Sequence, residues 1–397
     1  KHQSLAENQI SNKGAKALAR SLLVNRSLTT LDLRSNTIGP QGAKALADAL
    51  KINRTLTSLS LQSNTIKDHG ARSMAEALAT NQMLSALHLQ KNAVGPQGAQ
   101  QMAEALKQNR SLKALMLSSN SIGDGGAKAL AEALEVNQGL LSLDLQSNSI
   151  SDVGVAALMG ALCANQTLIS LNLRENSISP VGAQALAQAL SSNRTLQHLD
   201  LTANLLHDQG AQAIAVAVGK NCALKSLHLQ WNFIQVGAAR ALGLALQLNC
   251  NLTSLDLQEN AIGDEGASAL ASALKVNTTL ASLYLQVASI GAPGALALGQ
   301  ALAVNGTLEI LDLRGNAVGV AGAKGLANAL KVNSSLRRLN LQENSLGMDG
   351  VICIATALSE NHGLQHINLQ GNHIGESGAR MISEAIKTNA HMCTVEM

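Results

Sequence analysis

Residues 28–38 read LTTLDLRSNTI, and residues 364–374 read LQHINLQGNHI. Leu28, Leu31, Leu33, Asn36 and Ile38 of the first align with Leu364, Ile367, Leu369, Asn372 and Ile374 of the second. The asparagine returns every 28 residues: Asn8, Asn36, Asn64, Asn92, Asn120, Asn148, Asn176, Asn204, Asn232, Asn260, then Asn316, Asn344 and Asn372, with Ala288 breaking the series. A unit this short cannot bury its apolar face alone, so copies in phase imply stacking, each coil completing the core of the next.

The spacing L-x-x-L-x-L-x-x-N-x-L/I is that of a leucine-rich repeat. Alternation sends Leu31 and Leu33 inward and leaves Thr30, Asp32 and Arg34 on the open side of a short parallel strand. Asn36 is placed to satisfy backbone groups of the turn and of the neighbouring coil. A glycine column from Gly14 and Gly42 to Gly378 reads as the bend into a helix, and Ala43, Leu46, Ala47 and Leu50 have helical spacing. A second asparagine column, Asn25, Asn53, Asn81 and onward to Asn389, reads as the helix terminator in a left-handed conformation. Helix axes need about 8 to 10 Å and strands about 4.8 Å, so the expected α/β solenoid is a horseshoe, parallel strands concave and helices convex. One domain over residues 1–397 is expected, since a solenoid grows turn by turn.

Hydrophobic residues make up 46 % of the chain and aromatic ones 1 %, so the core must be aliphatic. The five cysteines fit neither a disulfide framework nor a C-x-x-C zinc site, which favours a reducing compartment; Cys222 and Cys250 share a column and are read as free thiols or a pair. No apolar run reaches the roughly 18 residues of a membrane span. The first residues fall in mid-repeat without Met, suggesting a fragment. Sequons such as Asn25-Arg26-Ser27, Asn53-Arg54-Thr55, Asn109-Arg110-Ser111 and Asn193-Arg194-Thr195 belong to the terminator column, so a structural role is expected before glycosylation. No G-x-x-x-x-G-K-[ST] run exists, and no catalytic or metal site is expected.

The texture NTIGPQGAKALADALKINRTLTSLSLQSNTI resembles the ribonuclease-inhibitor-like class of repeats. Together with LTSLDLQENAIGDEGASALASALKVN and the final NLQGNHIGESGARMISEAIKTNAHMCTVEM, it is similar to the C-terminal repeat domain of an animal NOD-like receptor, the third CARD-containing member above all. That resemblance implies a cytoplasmic innate-immune regulator, a negative one, whose repeats bind ligands and signalling proteins. It implies ATP only for an upstream domain outside this sequence and no cofactor within it.

Two surfaces are candidates. Aromatic residues cluster in two irregular turns, at Trp231 and Phe233, where Gly237 and Ala238 disturb the glycine column, and at Tyr284 near Ala288. Trp231 and Tyr284, with Val287, Asp256 and Glu259, form the expected protein contact, weighed against Trp231 and Phe233 simply packing a distorted turn. Residues 1–135 carry net charge +7 and residues 136–397 net −4, as 16 − 9 and 13 − 17, summing to the chain's +3. Lys16, Lys44, Arg72 and Lys128 on helices, Arg26, Arg54 and Arg110 in turns, and Lys51, Lys107 and Lys113 nearby form columns that could follow a double-stranded nucleic acid backbone or be a solvated face. His198, Asp200 and His228 invite a metal reading that strand geometry explains more simply.

Overall fold

The computed structural model describes residues 1–389 and 391–397. Its contacts divide into two compact units, residues 1–204 and 205–397. Among the described residues, the first holds eight strands, from His2–Ser4 to His198–Asp200, and seven helices, from Asn12–Val24 to Pro180–Ser192. The second holds seven helices, from His207–Lys220 to Gly375–Thr388, and seven strands, from Ser226–His228 to Thr394–Glu396.

Within each unit the strands are parallel and pair in chain order in the 28-residue register: Leu31 opposite Leu59 and Leu59 opposite Leu87 in the first, Leu227 opposite Leu255 and Leu255 opposite Leu283 in the second. A helix returns the chain after each strand, and the core between the layers is leucine, isoleucine and alanine with side chains close to zero exposure. This is the leucine-rich-repeat solenoid expected from the spacing.

Within each unit the asparagines of the first column form an amide ladder. Asn64 Oδ1 accepts from Ile38 N at 2.9 Å, while its Nδ2 donates to Leu33 O and Leu61 O at 3.0 Å, so one side chain satisfies two coils. Where Ala288 interrupts the series, the preceding coil closes on itself, Ile262 N donating to Asn260 O at 3.0 Å.

Two expectations are corrected. Asn25, Asn109 and Asn137 end their helices in extended backbone (φ −70°, −75° and −75°), not left-handed. These side chains form a second ladder: Asn137 Nδ2 donates to Leu106 O and Asn109 O of the preceding repeat, and its Oδ1 accepts from Gly139 N and Leu140 N. Asn53, Asn109 and Asn193 of the sequons are therefore buried. The glycine column is not a bend either. It lies in the first helical turn, where a Cβ on Gly42 would come within 2.9 Å of Ala15 Cβ, so its role is close approach of neighbouring helices.

A third inter-repeat device carries no obvious sequence signal. Asn12 Oδ1 accepts from Gly39 N and Gly42 N, both at 2.8 Å, capping the helix of the next coil. Asp68 serves Gly95 N and Gly98 N, and Asp264 serves Gly291 N and Gly294 N, in the same way. A carboxylate there also meets the positive end of the helix dipole.

Candidate partner-binding site

The basic columns of the first unit are interleaved with an acidic one. Asp48, Glu76, Glu104 and Glu132 recur four residues after Lys44, Arg72, Gln100 and Lys128, on the same helix faces. Lys51 Nζ lies 3.1 Å from Asp48 and 3.7 Å from Glu76, and Lys107 Nζ lies 2.8 Å from Glu104 and 3.8 Å from Glu132. Arg72 pairs with Glu76 at 3.3 Å. The turn residues Arg26 and Arg54 direct their guanidinium groups onto helix-end carbonyls, Leu23 O at 3.0 Å and Lys51 O at 2.9 Å, and Lys113 Nζ donates to Arg110 O. Lys16, Lys44, Arg110 and Lys128 have exposed heads without an ion pair among the described residues.

In the second unit, Trp231 is 59 % and Phe233 58 % exposed. Both follow the strand Ser226–His228 with left-handed backbone, φ +56° and +58°, in columns where Ser, Glu, Ala or Gly stand in most repeats. Phe233 stacks on His207, ring centroids 5.2 Å apart. More than half of each aromatic residue is left in solvent, while Phe233 also packs through His207. Glu259 and Val287 continue the Trp231 column through the next two coils, Val287 also left-handed at φ +49°.

Tyr284 and Asp256 are on the open strand face, opposite one another in register. Asp256 is only 4 % exposed, its carboxylate taken by Gln230 and by Gln258 Nε2 and N, so it organises the face and presents no contact of its own. Beyond Tyr284 the face opens into a cavity of about 430 Å³, whose walls include Ile310, Asp312, Arg338, His366 and Glu396. Burial pushes the Asp312 carboxyl up, against hydrogen bonds from Arg314 N, Asn340 and Gln286. Sequence reading passed over Arg338, which had no column neighbour of its own kind.

The open face of the first unit is built from Asp32, Ser60, His88, Met116 and Asp144 in one row. Burial lowers the His88 pKa. Burial raises that of Asp144, with the Asp200 charge adding and hydrogen bonds from Gln146 N and Ser118 opposing. A carboxyl whose folded pKa lies above its unfolded value opposes folding above that folded pKa and stops doing so once protonated. Asp144→Asn should therefore raise the melting temperature at neutral pH, with the gain shrinking as pH falls toward about 4. Melting curves of both proteins across pH check this; a gain constant with pH would rule out the charge as its source.

Of the residues considered for metal, Asp200 Oδ1 accepts from Thr202 N at 2.9 Å, and His228 contacts Ser226 Oγ at 2.8 Å. Cys222 and Cys250 are exposed free thiols.

A family model for the NLRC3 LRR domain matches residues 1–397. The chain belongs to the NLRC3 leucine-rich-repeat family. It is 97 % identical over 31 residues to the human "NLR family CARD domain-containing protein 3" and 94 % identical over 31 residues to the mouse "Protein NLRC3". Each match covers 8 % of this chain and spans 3 % of the relative. Among solved structures, an internalin (inlF) of Listeria monocytogenes aligns with 98 % of this chain and 96 % of its own at TM-score 0.55 and 19 % identity. The yeast Rad7 and Elc1 complex aligns with 84 % of this chain and 83 % of its own at TM-score 0.51 and 20 % identity. These likenesses show the fold. Such solenoids are typical of non-enzymatic interaction domains. No helix among the described residues is long and apolar enough to cross a membrane.

Proposed function

We propose that this chain is the partner-binding repeat domain of a cytoplasmic innate-immune regulator, a scaffold through which the receptor restrains signalling. The observation that carries this reading is the pair Trp231 and Phe233, large aromatic side chains held in solvent on left-handed backbone. The left-handed backbone is the repeat's own, shared by Ser63 and Glu175 in the Trp231 column and by Ser149 in the Phe233 column, so what sets these two positions apart is a large aromatic side chain left mostly in solvent. Trp is also the side chain most enriched at binding hot spots. The test is a signalling reporter in cells expressing the receptor that carries these repeats, with and without Trp231→Ala and Phe233→Ala together. The parent should lower reporter output and the variant should lose most of that restraint at an unchanged melting temperature. Unchanged restraint would remove the patch from the reading, and a rise in output with the parent would reverse the sign of regulation.

A second reading, contact with a duplex nucleic acid backbone, is supported by Lys16, Lys44, Arg110 and Lys128, the column cations with neither an ion pair nor a side-chain hydrogen bond among the described residues. Four neutralised phosphates would give a slope of about −3.6 in a plot of log affinity against log salt, where all ten column residues would give about −9. Titration of labelled duplex at several salt concentrations measures the slope, and no binding at low salt would remove this reading.

A further inference from the structure

We infer that the cavity beyond Tyr284 on the strand face of the second unit takes an extended, acidic peptide segment of a protein partner, anchored on Arg338. The inference rests on the partner-binding reading and adds a site and a ligand chemistry to it.

The placement of charge on the face selects the ligand. The two carboxylates stand in the row of Tyr284, bonded by neutral donors: Asp312 accepts from Gln286 Nε2 at 2.7 Å, Asn340 Nδ2 at 3.0 Å and Arg314 N at 3.0 Å, and Glu396 accepts from Asn368 Nδ2 at 2.6 Å, whereas Arg338 stands in the row of Ile310 and His366. Neighbouring arginines are engaged too, Arg337 donating to Gly363 O at 2.8 Å and Arg314 lying 4.0 Å from Glu343. Arg338 differs: it is exposed on its strand and meets no carboxylate among the described residues. In register it sits between Ile310 and His366, so a guanidinium and an imidazole stand side by side at the end of an apolar step made by Tyr284 and Ile310.

A planar guanidinium without a partner is matched by a carboxylate, which it holds with two parallel hydrogen bonds. The apolar step adjoining it takes an aliphatic or aromatic side chain. From that step to Arg338 is one to two strand spacings, about 5 to 10 Å, the reach of two or three extended residues. In an extended segment side chains two residues apart share a face, so an apolar residue followed two places later by an acidic one satisfies both requirements at once.

The test uses the whole 397-residue chain and a fluorescein-labelled octapeptide repeating leucine-serine-glutamate-serine, with an octapeptide repeating leucine-serine-lysine-serine as the control. Fluorescence anisotropy should show saturable binding of the acidic peptide only. Arg338→Glu should weaken it by about tenfold or more, and Arg314→Glu, an equal charge change outside the cavity, by less than about threefold. Arg338→Ala, read beside thermal melting, replaces the Glu variant should that one melt early. Equal binding of both peptides, no binding of either, or indifference to Arg338→Glu overturns the inference. So does displacement of the peptide by inorganic phosphate at matched ionic strength, which would assign the cavity to a phosphate ligand. Because the reporter assay reads the Trp231 patch, failure here leaves the partner-binding reading standing, and failure there leaves this peptide result interpretable.

Discussion

Asn120→Ala should destabilise the first unit by about 4 kcal/mol. The side chain is 9 % exposed and makes five hydrogen bonds: its Oδ1 accepts from Asn92 N at 3.0 Å and Val94 N at 2.9 Å, and its Nδ2 donates to Leu89 O, Leu117 O and Ser118 O. Not all of those partners would be orphaned. Leu117 O also accepts from Asn148 Nδ2, and Ser118 O from Lys91 N. Asn92 N, Val94 N and Leu89 O would lose this partner inside the core, at about 1 to 3 kcal/mol each. Asn120→Asp should also be severe, because a second carboxylate oxygen would face carbonyls where an amide N–H now donates. Denaturant unfolding followed by helical circular dichroism measures both. A loss under about 1 kcal/mol for Asn120→Ala would mean that the coil can close on itself as the coil before Ala288 does.

Gly126→Val should cost about 3 kcal/mol, for a steric reason. A Cβ at Gly126 would fall 2.5 Å from Ile122 Cγ2 and 2.8 Å from Ala99 Cβ. The isoleucine can give way by changing rotamer, but the alanine methyl has no such freedom. The helices Pro96–Gln108 and Gly123–Val136 would have to part, and a β-branched residue adds two more methyl groups to the same gap. Ala238, buried at the equivalent place in the second unit, shows that one methyl is tolerated when the surrounding coil is built for it. There the glycine has moved one place earlier, and a Cβ on Gly237 would come within 2.3 Å of Asp208 Oδ2. Gly126→Ala should accordingly cost less than Gly126→Val; equal and small losses for both would show that the helix contact is soft.

Much of this architecture was legible from spacing. The parallel strands, the returning helices and the buried identity of Leu31, Leu33 and Asn36 all follow from a 28-residue period, because residues in phase occupy the same place in every coil. Partnership between coils was less legible. Asn137 read as a left-handed terminator because asparagine tolerates that conformation, whereas its backbone is extended and its amide reaches carbonyls 28 and 31 residues back. Asp68, Asp124 and Asp264 drew no attention, since the helix each caps belongs to the next coil.

The candidate surfaces divide in the same way. Trp231 and Phe233 were found by composition, as rare aromatics in irregular turns, but their exposure could not be read from a column. Asp256 looked like a contact on an open face and is closed off by the glutamines beside it. The basic columns were counted correctly, yet a count of cations does not reveal that carboxylates of the same and adjacent helices lie within 4 Å of Lys51 and Lys107.

By itself, then, the sequence determined the repeat unit, its phase, the aliphatic core and the places where the pattern fails, because periodicity and burial are properties of one coil repeated. Only the tertiary structure decided which amide meets which carbonyl, which cations are already paired, and that Arg338, beside a cavity, makes no ion pair among the described residues. Those outcomes depend on distances of a few ångströms between residues about 28 apart in the chain, which are set by the stacking of one coil on the next.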